Sequence, residues 1–134
     1  MTADEKVPTI LIADDDPEMR ELLATRLRSM KCKLLEAIDG DEAWKAVKKT
    51  TPDLVILDVM MPGMSGWEVC RKIREDSSLG GTGVIMLTGI GERLNEMTSP
   101  LYGADDFLDK PFDFSDLDAK IRTVLRGRRQ SKPP

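Results

Sequence analysis

The sequence predicts a doubly wound α/β domain built on five parallel strands. Three observations point there. Short apolar runs without polar alternation, such as Leu54-Val55-Ile56-Leu57 and Val84-Ile85-Met86-Leu87, read as strands buried on both faces. These runs alternate with segments whose apolar residues recur at helical spacing, the pattern of βαβ units joined by right-handed crossovers. Each run also stops abruptly on a polar residue, at the strand end where open α/β sheets gather their ligands.

The elements follow in order. Residues 1–8 are polar and charged and read as a flexible N-terminus, followed by one domain over 9–126 and a basic tail over 127–134. Thr9 to Ala13 is the first strand, and it ends on Asp14-Asp15-Asp16. Asp16 is the expected N-cap of a helix with Pro17 in its first turn, and Met19, Leu22, Leu23, Leu27 and Met30 are expected to form its apolar face. Leu34 to Ala37 is a short second strand. Asp39-Gly40 reads as a turn, with Asp41 capping a helix that turns Ala43, Ala46 and Val47 inward and packs Trp44 at the edge.

The third strand, Leu54 to Leu57, runs into Asp58 and then a Met-, Pro- and Gly-rich loop. Ser65 and Glu68 form a capping-box pattern for a helix with Val69, Cys70 and Ile73 inside. The fourth strand ends on Thr88. The segment from Gly89 to Tyr102 is less regular, because Pro100 breaks a helix in its last turns. Phe107-Leu108-Asp109 is a short fifth strand ending at Lys110-Pro111. Phe114, Leu117, Ile121, Val124 and Leu125 mark a final helix, which Gly127 is expected to terminate.

Composition narrows the chemistry. The chain has 134 residues, 4% aromatic content and a net charge of −4, an ordinary balance for one globular domain with a sizeable core. No apolar run approaches the roughly 20 residues that span a membrane, and the N-terminus lacks a signal-peptide pattern, so a cytoplasmic location is expected. Cys32 and Cys70 are not at metal-site spacing and read as reduced thiols. Histidine is absent, which removes His-dependent triads, imidazole zinc sites and phosphohistidine chemistry on this chain.

The strand ends carry Asp14, Asp15, Asp58, Thr88 and Lys110, and a parallel sheet brings them to one edge. Three carboxylates in one cleft raise one another's pKa values unless a cation sits among them. An oxygen-only donor set of this size favours Mg²⁺, which keeps several waters and accepts one or two carboxylates plus a phosphate oxygen. With a lysine and a hydroxyl nearby, the set suits in-line phosphoryl transfer to a carboxylate oxygen. Asp58, alone on the central strand, is the natural nucleophile, and Asp14 and Asp15 can hold the metal. An EF-hand reading of Asp14-Asp15-Asp16 fails for want of the turn glycine and terminal glutamate.

The runs Ile10-Leu11-Ile12-Ala13-Asp14-Asp15-Asp16-Pro17, Leu57-Asp58-Val59-Met60-Met61-Pro62-Gly63-Met64-Ser65-Gly66, Leu87-Thr88-Gly89 and Asp109-Lys110-Pro111-Phe112 together resemble the motifs of response-regulator receiver domains, with the likeness running from about Thr9 to Leu125. The resemblance implies a flavodoxin-like sheet in the order 2-1-3-4-5 with five helices. It implies that Asp58 accepts phosphate from a phosphohistidine on a sensor histidine kinase or histidine phosphotransfer protein. It implies Mg²⁺, or alternatively Mn²⁺, held by Asp15, Asp58 and the backbone carbonyl of Met60, with Asp14 acting through water. Thr88 and Lys110 would grip the phosphoryl oxygens, and Thr88 and Phe107 would be the switch pair. The output would be a population shift on the face built from the fourth helix, fifth strand and fifth helix, read by a protein target or by a phosphorylation-dependent homodimer. Pro100 makes that fourth-helix segment atypical, and Met60 and Ile90, flanking the site, imply a long-lived phosphoform.

The reading favoured by these residues is a receiver that catalyses only its own phosphorylation and dephosphorylation. A receiver cut from a longer DNA-binding regulator is the alternative. A phosphohydrolase with an aspartyl nucleophile is disfavoured, because Met60 stands where such enzymes carry a second acid. Nucleic-acid binding by Arg126, Arg128, Arg129 and Lys132 is disfavoured because a short basic end on an acidic domain is normally just solvated. No membrane partner is expected.

Overall fold

The computed structural model describes residues 7–89 and 103–131, with side chains through Arg128. Its strands are β1 (Thr9–Ala13), β2 (Lys33–Ala37), β3 (Leu54–Asp58), β4 (Gly83–Thr88) and β5 (Asp106–Asp109). Its helices are α1 (Pro17–Arg28), α2 (Gly40–Thr50), α3 (Gly66–Glu75) and α4 (Phe114–Ser131), with a 3-10 turn at Ser77–Leu79. All strand pairings are parallel, in the order β2-β1-β3-β4-β5. The expected sheet is present. The additional helix expected within Gly89 to Tyr102, with Ile90 and Pro100, falls outside the described residues except for Gly89.

The strands alternate between two apolar layers, as their period of two requires. Leu11, Val55, Leu57, Val84 and Met86 face α2 and α3. Ile10, Ile12, Leu54, Ile56, Ile85 and Leu87 face α1 and α4. Leu54 through Leu57 are all completely buried, and at about 1.5–3 kcal/mol for each large side chain this strand is a principal source of stability.

Helix starts are set by side-chain caps. The Asp16 carboxylate accepts from the Glu18 amide at 3.0 Å, and Ser65 Oγ accepts from the Glu68 amide at 3.2 Å, as the sequence predicts. Three expectations need correction. Asp39, not Asp41, caps α2, accepting from the Glu42 amide at 2.8 Å while Glu42 Oε1 accepts from the Ile38 amide at 3.0 Å. This reciprocal pair fixes the start two residues earlier than the turn reading of Asp39-Gly40. Leu22 is 53% exposed, because the buried stripe of α1 runs through Leu23, Ala24 and Leu27, one helical step of 100° away. Finally, α4 continues through Gly127 to Ser131. Arg128, whose Nε donates to Asp105 Oδ1 at 3.0 Å and Nη1 to the Gly80 carbonyl at 3.0 Å, anchors the helix beyond the glycine.

Asp105 joins the two helical layers. Arg74 on α3 donates from Nη2 to Asp105 Oδ2 at 3.0 Å and to the Thr82 carbonyl at 2.6 Å, and from Nε to the Gly103 carbonyl at 2.7 Å. Asp105 Oδ2 also accepts from the Val84 amide at 2.8 Å. Arg74 is only 17% exposed, so truncation strands several acceptors at once. Arg74→Ala is expected to lower stability by about 2–4 kcal/mol, read as a drop in the urea midpoint at unchanged slope.

Candidate functional site

The register of the sheet builds the site. Ala13 pairs with Leu57, so Asp14 follows beside Asp58, and Thr88 pairs with Asp109, which precedes Lys110. The Asp14 amide donates to the Ala37 carbonyl at 3.2 Å, and the Arg20 side chain donates to the Asp14 carbonyl at 2.9 Å, fixing the turn after β1. Asp14 Oδ1 accepts from the Asp16 amide at 2.9 Å.

The loop after Asp58 is fixed by glycines. Gly63 has φ +75°, in the left-handed region that favours glycine. At Gly66 an added Cβ would lie 2.2 Å from the Asp58 carbonyl oxygen, so the start of α3 rests directly on the end of β3. Its amide donates to the Val59 carbonyl at 2.9 Å.

One carboxylate oxygen from each of Asp14, Asp15 and Asp58 lies within 4.8 Å of the others. Asp14 is fully buried, Asp58 is 5% exposed and Asp15 is exposed. Lys110 Nζ donates to Asp58 Oδ1 at 3.1 Å and stands 3.5 Å from Asp14 Oδ2. The second distance is an ion pair too long for a good hydrogen bond. Asp14 Oδ2 accordingly has no hydrogen-bond partner among the described residues, although it is buried. A buried carboxylate oxygen without a donor, facing two further carboxylates, is a donor set that fits a hard divalent cation.

Burial, and then the Asp14 charge, raise the Asp58 pKa from 3.8 to about 6 against the opposing pull of Lys110. Burial also raises Asp14. Burial alone would lower Lys110, but Asp58 and Asp14 outweigh it and hold the ammonium above its usual pKa.

Thr88 is completely buried, and its hydroxyl donates to Asp109 Oδ1 at 2.6 Å. Phe107 is half-buried, its ring 5.9 Å from that of Trp67 on α3. Met60 is 62% exposed at the rim. The structure thus brings together Asp14, Asp15, Asp58 and Lys110, and sets Thr88 and Phe107 on the neighbouring strands. Asp109 is a contact that sequence reasoning missed; its place directly before Lys110, at the end of β5, was the available signal.

The Asp58 shift has a consequence for stability. Its folded pKa of about 6 exceeds its ordinary value near 3.8, so the folded protein binds more protons than the unfolded chain across that window. The neutral carboxyl is accommodated at low pH, and stability from this group is lost as pH rises through the folded pKa. Metal-free Asp58→Asn is therefore expected to be more stable than wild type at pH 7.5 by roughly 1–3 kcal/mol, with the difference vanishing near pH 4. Urea midpoints of the two proteins at both pH values check this, and a pH-independent difference would contradict it.

A match to the response regulator receiver domain covers residues 10–122. The transcriptional regulator described as probable ycf27 from Guillardia theta is 43% identical over 117 residues, covering 87% of this chain and 45% of the relative. The DNA-binding dual master transcriptional regulator RpaA from Synechocystis is 36% identical over 120 residues, covering 90% of this chain and 50% of the relative. The chain thus spans about half the length of these curated relatives. Among solved structures, a response regulator described as putative from Chloroflexus aurantiacus aligns with a TM-score of 0.84 at 32% identity, over 90% of this chain and 99% of that one. The signal receiver domain of a histidine kinase from Syntrophus aciditrophicus aligns with a TM-score of 0.85 at 31% identity, over 96% and 97%. The family match spans every strand end that contributes to the site, and this chain belongs to the response regulator receiver family.

Proposed function

We propose that this receiver of two-component signalling takes a phosphoryl group from a phosphohistidine onto Asp58. The convergence of Asp14, Asp15 and Asp58 around a buried carboxylate oxygen that accepts no hydrogen bond from the described residues, with Lys110 at 3.1 Å from Asp58, carries this reading. A carboxylate oxygen of Asp58 attacks phosphorus, the P–N bond breaks, and the imidazole leaves with the electron pair. Lys110 neutralises charge on the incoming group, and the Thr88 hydroxyl donates to a phosphoryl oxygen once formed. Mg²⁺, or Mn²⁺, held by Asp15, Asp58, the Met60 carbonyl and, through water, Asp14, would supply further charge neutralisation at the equatorial oxygens. The chain turns over no external substrate in this reading; it catalyses only its own phosphorylation and its reversal.

The phosphate donor is a sensor histidine kinase or a histidine phosphotransfer protein. The receiver signals when Thr88 and Phe107 rearrange and shift the surface around β5 and α4, which meets a protein target or a second copy of the chain. A cytoplasmic setting fits this chemistry, and no described helix is long and apolar enough to cross a membrane. A second reading is favoured by the twofold length of the relatives: this sequence is the receiver portion of a longer regulator, as RpaA is named a DNA-binding protein.

Incubation with a small acyl phosphate and Mg²⁺ tests the assignment. Wild type is expected to incorporate one phosphoryl group per chain and Asp58→Asn essentially none, measured by intact mass. Unchanged incorporation in the variant would overturn it. Size-exclusion chromatography of the same samples reads dimerisation as an earlier elution. The apolar Met60 at the rim is expected to retard hydrolysis, so Met60→Asn should shorten the lifetime of the phosphoform several-fold; equal decay of the two proteins would remove Met60 from that role.

A further inference from the structure

The hydroxyl of Thr88 is already engaged. It donates to Asp109 Oδ1 at 2.6 Å, from a completely buried position. A threonine hydroxyl has one proton to donate, so it cannot serve Asp109 and a phosphoryl oxygen on Asp58 together. The backbone gives little freedom to do both. Thr88 and Asp109 are register partners in the parallel ladder, and the Lys110 amide donates to the Thr88 carbonyl at 2.7 Å. Redirecting the hydroxyl therefore requires it to give up Asp109, by rotation of the O–H about Cβ–Oγ or by a change among the few rotamers open to a β-branched residue.

The neighbours make this contact consequential. Phe107 lies two residues before Asp109 and so projects from the same side of β5, where its ring meets Trp67. Lys110, the next residue along, reaches Asp58 at 3.1 Å. One strand end thus holds the phosphoacceptor through Lys110 and the switch hydroxyl through Asp109.

We propose that Asp109 is a positioning residue that latches Thr88 in the unphosphorylated protein, so that phosphorylation must win the hydroxyl from it. This inference rests on the receiver reading above. A hydrogen bond to an ionised acceptor is stronger than a neutral one, and the latch opposes the activated arrangement by that margin.

The test uses Mg²⁺–beryllofluoride as a mimic of the phosphoryl group, titrated into protein carrying Trp44→Phe so that Trp67 alone reports by fluorescence. Asp109→Ala is expected to bind the mimic about threefold to tenfold more tightly. Asp109→Asn, which keeps the shape and an acceptor oxygen, should gain less. The gain should disappear when Thr88→Val is added, because the latch acts only through that hydroxyl. An equal gain in the Thr88→Val background would mean that the Asp109 charge alone repels the ligand, and would overturn the proposal, as would no gain in either Asp109 variant. A second readout needs no ligand. The Thr88 methyl carbon shift, which reports its rotamer, is expected to move in resting Asp109→Asn and Asp109→Ala, and an unmoved signal in both would refute the latch. Failure of the wild type to bind the mimic, with the Thr88 signal still sensitive to Asp109, would instead reject the receiver reading.

Discussion

The fold holds two buried carboxylates side by side. Asp14 and Asp58 are almost without solvent, and one ammonium, that of Lys110, reaches both. Left to themselves such groups would separate or take up protons. They stay because the register of three central strands is set by the buried, largely apolar residues that lead up to the site, and the strand ends must finish where the ladder puts them. Packing energy elsewhere thus maintains an electrostatic arrangement that is unfavourable in isolation. Asp15 adds a third acid, so among the described residues one lysine stands against a cluster of three carboxylates, an arrangement that attracts positive charge.

The same economy of position links chemistry to surface. Thr88 ends β4 and Asp109 ends β5, while Phe107 lies one pleat back from Asp109 and packs toward α3. The Thr88 hydroxyl contacts Asp109 on the strand that leads directly into Lys110. The path between the site and the α3 side of the sheet is short, because Lys110, which reaches Asp58 on β3, and Phe107, which meets Trp67, both lie within β5 and its immediate sequel.

Much of this was legible in the sequence. The central strands announced themselves by unbroken apolar runs, and the parallel topology followed from their alternation with helical segments. The acids and Lys110 could then be gathered from strand ends alone. What escaped the sequence depended on partners distant in the chain or on small angular differences. Leu22 matched the helical stripe loosely but lies one step outside it. Asp39 and Asp41 are both good capping residues, and only the reach of Glu42 to the Ile38 amide chooses between them. Gly127 looks like a stop, yet Arg128 is tied to Asp105 across 23 residues. Asp109 is unremarkable in sequence because its partner, Thr88, lies on another strand. The roles of the Ser99-Pro100 segment and Ile90 fall outside the described residues.

Asp105 is held from both layers, by Arg74 of α3 and Arg128 of α4. Directly after it, Asp106 pairs with Lys120 at 3.0 Å. β5 is an outer strand of the sheet, the kind of margin that another chain can extend by strand addition. Here that margin is only four residues long, begins and ends on acids, and is strapped to helices on either face. Lys110-Pro111 then removes the next amide from the ladder. The clasp at Asp105 therefore does more than join layers: it pins the start of a short, acid-bounded edge strand to the helices on both faces.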